Sequence, residues 1–255
     1  MFFKRIFLLL FLFIFANEMN AKDPFINTNM NDINNYQTAY LNSFIENKGQ
    51  WDDNVLFLSQ TNGLDAWITN EGVSFDFYKY QQNTVLSKSN STLSNNNTDI
   101  SKSNEDIRFG HIIKLSFLNS KKFDILSNNQ LPGVLNYFTQ NIQKRWASNV
   151  YYFGEILLTE IYDGINYRLY YDNNQLRYDF IIQPKKNPNE IKMVYQGQNS
   201  LSINSKGELI IKTALGDIEN QRLFAYQKIE GKTVQIECKF KLSGSNIVYF
   251  ELSDY

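Results

Sequence analysis

The 255-residue chain sets 25 basic against 26 acidic side chains and holds a single histidine and a single cysteine. That balance excludes the concentrated positive face that nucleic-acid phosphates require, and one thiol excludes a disulfide framework. With 43% apolar and 15% aromatic residues, a chain of this length can bury roughly 70% of its surface without either device.

Residues 1–21, MFFKRIFLLLFLFIFANEMNA, place Lys4 and Arg5 ahead of an uninterrupted apolar run from Ile6 to Ala16. This is the layout of a secretory signal peptide ending near Ala21. The run is shorter than the roughly 20 residues that cross a bilayer, and no later segment is apolar enough to span one. The expectation is export, to the medium or the cell surface, with no membrane span after leader removal. Loss of Lys4, Arg5 and Glu18 moves the formal net charge from −1 to −2. Residues 22–43 are rich in Asn and Thr without sustained periodicity and read as a polar tether.

From residue 44 the hydrophobic period is two, and residues 44–255 read as an all-β antiparallel β-sandwich, one large sandwich or two packed ones subdivided near 130–160. In FIENKGQWDDNVLF, residues 44–57, Asn47 can bond the backbone and Gly49 can take a positive φ, so the polar cluster reads as a turn opening the first strand. LDAWIT and VSFDFY flank Asn70-Glu71-Gly72 as a hairpin. The tract from Gln81 to Asp106 has too little apolar content to fold alone and reads as a long disordered loop inserted between strands. Its Asn-Ser-Thr and Asn-Asn-Thr triplets match glycosylation acceptors, but such matches arise by chance in an Asn-rich tract.

TQNIQKRWASN, residues 139–149, is the one short helical or turn segment, with Trp146 packing inward. INYRLYYDNNQLRYDFII, residues 165–182, reads as a hairpin about Asn173-Asn174. Ile165 then faces Ile182, Tyr167 faces Phe180, Leu169 faces Tyr178 and Tyr171 faces Leu176, while Arg168 faces Asp179 on the other side. LSINSKGELIIKT turns at Lys206-Gly207. FAYQKIEGKTVQIECKFKL turns at Glu230-Gly231 into a strand that puts Val234, Ile236, Cys238, Phe240 and Leu242 on one face, so Cys238 is expected to be buried.

Five motifs stand in order along the domain: Glu46-Asn47-x-Gly49-Gln50, Asn136-Tyr137-Phe138, Tyr162-x-Gly164-Ile165, Leu176-x-Tyr178-Asp179-Phe180 and Ala225-Tyr226-Gln227. In this set, residues 44–255 resemble the N-terminal β-rich domain of unknown function found in exported bacterial proteins carrying SBBP-type β-propeller repeats. The resemblance implies a secreted or surface-displayed module with no catalytic residues to transfer. It also implies downstream domains or repeats as partners, so that a chain ending at Tyr255 is a fragment or a domain standing alone.

Residue by residue, the chemistry is sparse. His111 in FGHIIKLSF is in phase with Ile113, Leu115 and Phe117 and reads as a packed strand histidine. Glu46, Asp52 and Asp53, or Asp163, Asp172 and Asp179, are the carboxylates that could bind calcium or act as acid and base, but DNNQLRYD lacks the Gly and terminal Glu of a calcium loop. No catalytic, cofactor or metal residues are assigned. Trp51 and Trp67 fall out of phase with the core, and exposed rings of that kind would suit sugar faces. The expectation is a non-catalytic exported module; the alternatives are a glycan-binding or adhesive module and a carboxylate-dependent hydrolase.

Overall fold

The computed structural model describes residues 5–13, 40–88, 100–138 and 142–253, which form two antiparallel layers packed face to face. One layer runs β18 (Cys238–Ser243), β19 (Ile247–Leu252), β13 (Lys192–Gln196), β6 (Ile100–Phe117), β5 (Gly72–Lys88), β4 (Leu64–Thr69), β3 (Val55–Thr61) and β2 (Phe44–Glu46). The other runs β7 (Asp124–Gln130), β10 (Tyr152–Tyr162), β11 (Ile165–Asp172), β12 (Gln175–Ile182), β1 (Arg5–Phe13) and β16 (Gly216–Ile229). The first half of β16 carries β15 (Leu209–Thr213) and then β14 (Ser200–Ile203); its second half carries β17 (Lys232–Ile236). A small separate ribbon joins β8 (Leu135–Tyr137) to β9 (Ala147–Val150).

Local chemistry places the turns. Asn173 and Asn174 both take positive φ, at 51° and 60°, the pair that a two-residue hairpin turn matched to strand twist requires. That turn sets the register Ile165↔Ile182 through Asp172↔Gln175, with Arg168 opposite Asp179. Gly72, at φ 136°, closes the β4–β5 turn where a Cβ would collide with the Leu115 carbonyl oxygen, so no larger residue fits. The β5–β6 ladder continues into the polar insertion as far as Lys88↔Ile100, and the centre of that insertion lies outside the described residues.

The alternation of β11 and β12 turns Tyr167, Leu169, Tyr178, Phe180 and Ile182 into the interior, where all are buried. Phe117 of β6 meets Tyr167 at 4.9 Å and Phe180 at 6.0 Å, and Phe180 meets Phe250 of β19 at 5.7 Å. These ring contacts are the seam between the layers. β10 belongs to both: Tyr152 and Phe153 pair with β2, and beyond them the same edge pairs with β11. A bulge between Leu158 and Tyr162, with Glu160 at φ 55°, bends the strand into the second layer.

Three expectations change. Trp146 does not pack inward: the segment makes only a single 3₁₀ turn, Gln143–Arg145, and leaves the indole 44% exposed. The strand expected to run unbroken through Cys238 breaks at Glu237, because its first half pairs with β16 and its second with β19. Ile236 and Phe240 are buried, Cys238 and Leu242 half-buried, and Val234 is exposed. The propeller-repeat context fares no better, since among the described residues the sheets stay open and none closes into a barrel or propeller.

Candidate functional site

A cluster of paired charges lies on the outer face of the β11–β12 hairpin. Arg168 and Asp179 stand opposite each other there and form an ion pair, with the Asp179 carboxylate wholly buried and the Arg168 side chain 27% exposed. Arg168 also lies 3.6 Å from Glu155 of β10 and stacks over the Tyr170 ring at 4.2 Å. The Tyr170 hydroxyl donates to Asp179 at 3.3 Å, and Asn128 donates to Glu155 at 2.9 Å. Burial pushes the Asp179 carboxyl up to about 6, against the opposing pull of Arg168 and Tyr170. One guanidinium thus sits between two carboxylates and pairs with both. Asp172, which the sequence places on the same hairpin, is held apart from them by Arg177 at 2.7 Å.

The opening motif is a closed hydrogen-bonded loop. Asn47 Nδ2 donates to the carbonyls of Asp52 at 2.9 Å and Val55 at 2.8 Å, and its Oδ1 accepts from the N–H groups of Gly49 and Trp51. Gln50 donates to the Glu46 carbonyl and accepts from the Lys48 N–H. Glu46 accepts from the Tyr151 N–H at 2.7 Å and pairs with Lys48 at 2.9 Å, while Asp52 pairs with Arg145 at 2.6 Å. Most of these bonds close the loop on itself, while Glu46 ties it to Tyr151 beside β10 and Asp52 to Arg145 of the 3₁₀ turn Gln143–Arg145. Asp53 remains exposed.

His111 is engaged at both ring nitrogens: Nδ1 accepts from the Ala214 N–H at 3.3 Å and Nε2 lies 2.9 Å from the Gly197 carbonyl. Those partners put the proton on Nε2 and leave no free lone pair for a base. Asp163 pairs with Lys186 at 2.6 Å and Lys121 at 3.7 Å, which hold its carboxyl below the usual carboxylate range. Burial pushes the Cys238 thiol up to about 12, so it is not poised as a nucleophile. Among the described residues no group of three or more His, Cys, Asp or Glu converges as a metal ion would need. A shallow groove of about 430 Å³ beside β19 has Glu251 as its single acidic lining residue.

The tryptophans part company. Trp67 packs edge-on against Trp51 at 5.7 Å, and Trp51 against Tyr137 at 5.6 Å, forming a half-buried cluster that roofs the β8–β9 ribbon. An exposed ring pair is formed instead by Phe138, 59% exposed, and Trp146, set edge to face at 5.8 Å. Alternation along one strand put Trp67 on an outer face and could not show that Trp51, from the opening loop, covers it and in turn meets Tyr137 of β8. A second charged cluster was missed for the same reason: Arg108 of β6 pairs with Asp76 at 2.8 Å and Asp65 at 3.5 Å and lies over Tyr78 at 4.1 Å.

The geometry defines an open, all-β sandwich domain in which Arg168 and Arg108 each pair with two carboxylates. Residues 44–255 match the family described as Domain of unknown function (DUF7948), and the chain belongs to that family. This corrects the resemblance to SBBP propeller-repeat proteins: the family matched is this one, and the open sheets offer no propeller. No curated protein and no solved structure matches the chain.

Proposed function

We propose that the domain is a non-catalytic module of an exported protein, acting through the surfaces it presents and bracing neighbouring domains. The observation that carries this reading is that the groups best placed to do chemistry are already engaged with one another or with the backbone. Arg168 divides Asp179 from Glu155, and both nitrogens of His111 are occupied. A reaction centre needs a group left free to accept or deliver a proton, with its partners aimed at a substrate. The leader-like residues 1–21 support the exported part.

The test has two arms. Expression in a secreting host followed by intact-mass measurement should find the chain outside the cell without residues 1–21; a chain retained in the cytosol with its N-terminus intact would remove the exported part. Screening against chromogenic glycoside, ester and peptide substrates should give no turnover that Asp179→Asn or Glu155→Gln abolishes.

A glycan-binding reading is favoured by one observation, the exposed Phe138–Trp146 pair on the β8–β9 ribbon. Exposed rings of this kind stack on the apolar faces of sugars. Glycan-array binding lost in Trp146→Ala with the fold unchanged would establish it, and an array blank for the parent chain would dismiss it.

A further inference from the structure

β12 and β16 are not bonded to each other. Each pairs antiparallel with β1, from Ile6↔Ile182 to Phe11↔Arg177 on one side and from Arg5↔Lys228 to Phe13↔Glu219 on the other. Two inter-strand steps, about 9.5 Å, separate the banks, too far for direct hydrogen bonds. β1 is the apolar run read as a leader, and it lies outside residues 44–255, the stretch that matches the family. The domain therefore supplies both banks of a strand-wide slot but not the strand that fills it.

The banks are unsuited to water. Tyr178, Asp179, Phe180 and Ile182 on β12, and Ala225 and Gln227 on β16, are all buried when β1 is in place. Removing β1 strips the backbone N–H and C=O groups along both banks of their partners, and opens the interior at Phe180 and Tyr178. Residues 22–43, KDPFINTNMNDINNYQTAYLNS, and 89–99, SNSTLSNNNTD, contain no run with apolar residues at alternate positions over the length of β1.

We propose that the slot between β12 and β16 is a strand-acceptor site which, after leader removal, takes an extended segment of another polypeptide, antiparallel to both banks. This rests on the exported reading for the removal of residues 1–21. The register defines the occupant's chemistry. Residues directly opposite across an antiparallel pair share a face, so positions opposite Tyr178, Phe180 and Ile182 must be apolar, as Leu10, Leu8 and Ile6 are. Positions opposite Arg177 and Asp179 tolerate hydroxyl or amide side chains. Main-chain bonding to two banks supplies affinity and the alternate apolar side chains supply selectivity, as in other strand-addition complexes.

The test uses the full chain carrying Leu8→Pro and Leu9→Pro, which together remove a ladder N–H toward each bank. The probe is a synthetic peptide of residues 5–13 with Thr at positions 7, 9 and 11 and lysine tails. Amide exchange in 175–182 and 221–228 should be at least about tenfold faster in the variant than in the parent, and the peptide should bind one to one and restore protection. Full protection in the variant without peptide would mean that the banks have closed on each other and would overturn the proposal. So would an unprotected slot that ignores the peptide.

If the proline variant loses protection in β4 and β19 as well, a second format replaces it. A protease site is placed within residues 22–39 of the otherwise unaltered chain, which is cut after folding, and displacement of the severed β1 by labelled peptide is followed. Exchange supports the site, and failure to exchange under mild denaturant counts against it. Leader removal is read separately by mass, so loss of the exported reading and loss of the acceptor site give different results.

Discussion

Replacing Asp179 by Asn in the full chain should make the protein more stable at neutral pH, although it removes one partner of an ion pair. Two effects compete. Breaking a buried pair usually costs about 3–5 kcal/mol because a charge is left buried and alone. Arg168 escapes that fate, since its side chain is 27% exposed and it retains Glu155 at 3.6 Å and the Tyr170 ring. The opposing effect is the strain of keeping Asp179 ionised. Its carboxyl is raised from 3.8 to about 6 by burial, and at 1.36 kcal/mol per pH unit this amounts to about 3 kcal/mol against the charged form.

The sign follows from proton binding. Between about pH 4 and pH 6 the folded state holds a proton that the unfolded state has lost, so wild-type stability is greatest below about 4 and declines as pH rises through 6. Asn imitates the protonated acid and lacks that decline. Urea unfolding of both proteins at several pH values between about 4 and 7 should give a variant advantage of up to about 3 kcal/mol at neutral pH, fading toward zero on acidification. An advantage that does not change with pH, or one that grows in acid, would refute the reasoning.

Other outcomes follow from the packing. Gly72→Ala should cost about 3 kcal/mol or more, because its Cβ would collide with the Leu115 carbonyl at a positive φ; Gly207→Ala, also at positive φ but with nothing within 4 Å, should cost only about 1 kcal/mol. Equal costs in paired urea titrations would refute the close-approach argument. Phe180→Ala, which empties a fully buried position between Tyr167, Phe117 and Phe250, should cost about 3–5 kcal/mol by the same measurement. Asn47→Ala, which removes four hydrogen bonds from the opening loop, should cost about 2 kcal/mol and speed amide exchange at Gly49 and Trp51. A stability change under about 0.5 kcal/mol there would count against the loop's structural role.

What the sequence made legible is what short-range rules determine. The register of the 165–182 hairpin could be read residue by residue because Asn173 and Asn174 can both enter positive φ, and once a two-residue turn is set, alternation fixes every opposed pair. The same rules placed the turns at Gly72, Gly207 and Gly231. Alternation reports which face a side chain takes and is silent about the neighbouring strand. Lys232–Ser243 therefore looked like one strand, although it changes partner from β16 to β19 at Glu237. Glu155 was likewise invisible as a partner of Arg168, because the pairing of β10 with β11 is set by the bulge at Glu160 and by packing beyond it. Trp146 carried the expectation of burial that a large indole usually warrants, and no local pattern could show that the 3₁₀ turn before it aims the ring at solvent.

β10 enters beside β2 and leaves beside β11, so it stitches the two layers like a thread passed through both halves of a seam. Peeling the halves apart cannot proceed by sliding greasy surfaces alone; it must also rip ladder bonds near Phe153. A pull applied across the layers should accordingly meet a single sharp rupture, and heat should melt both halves together.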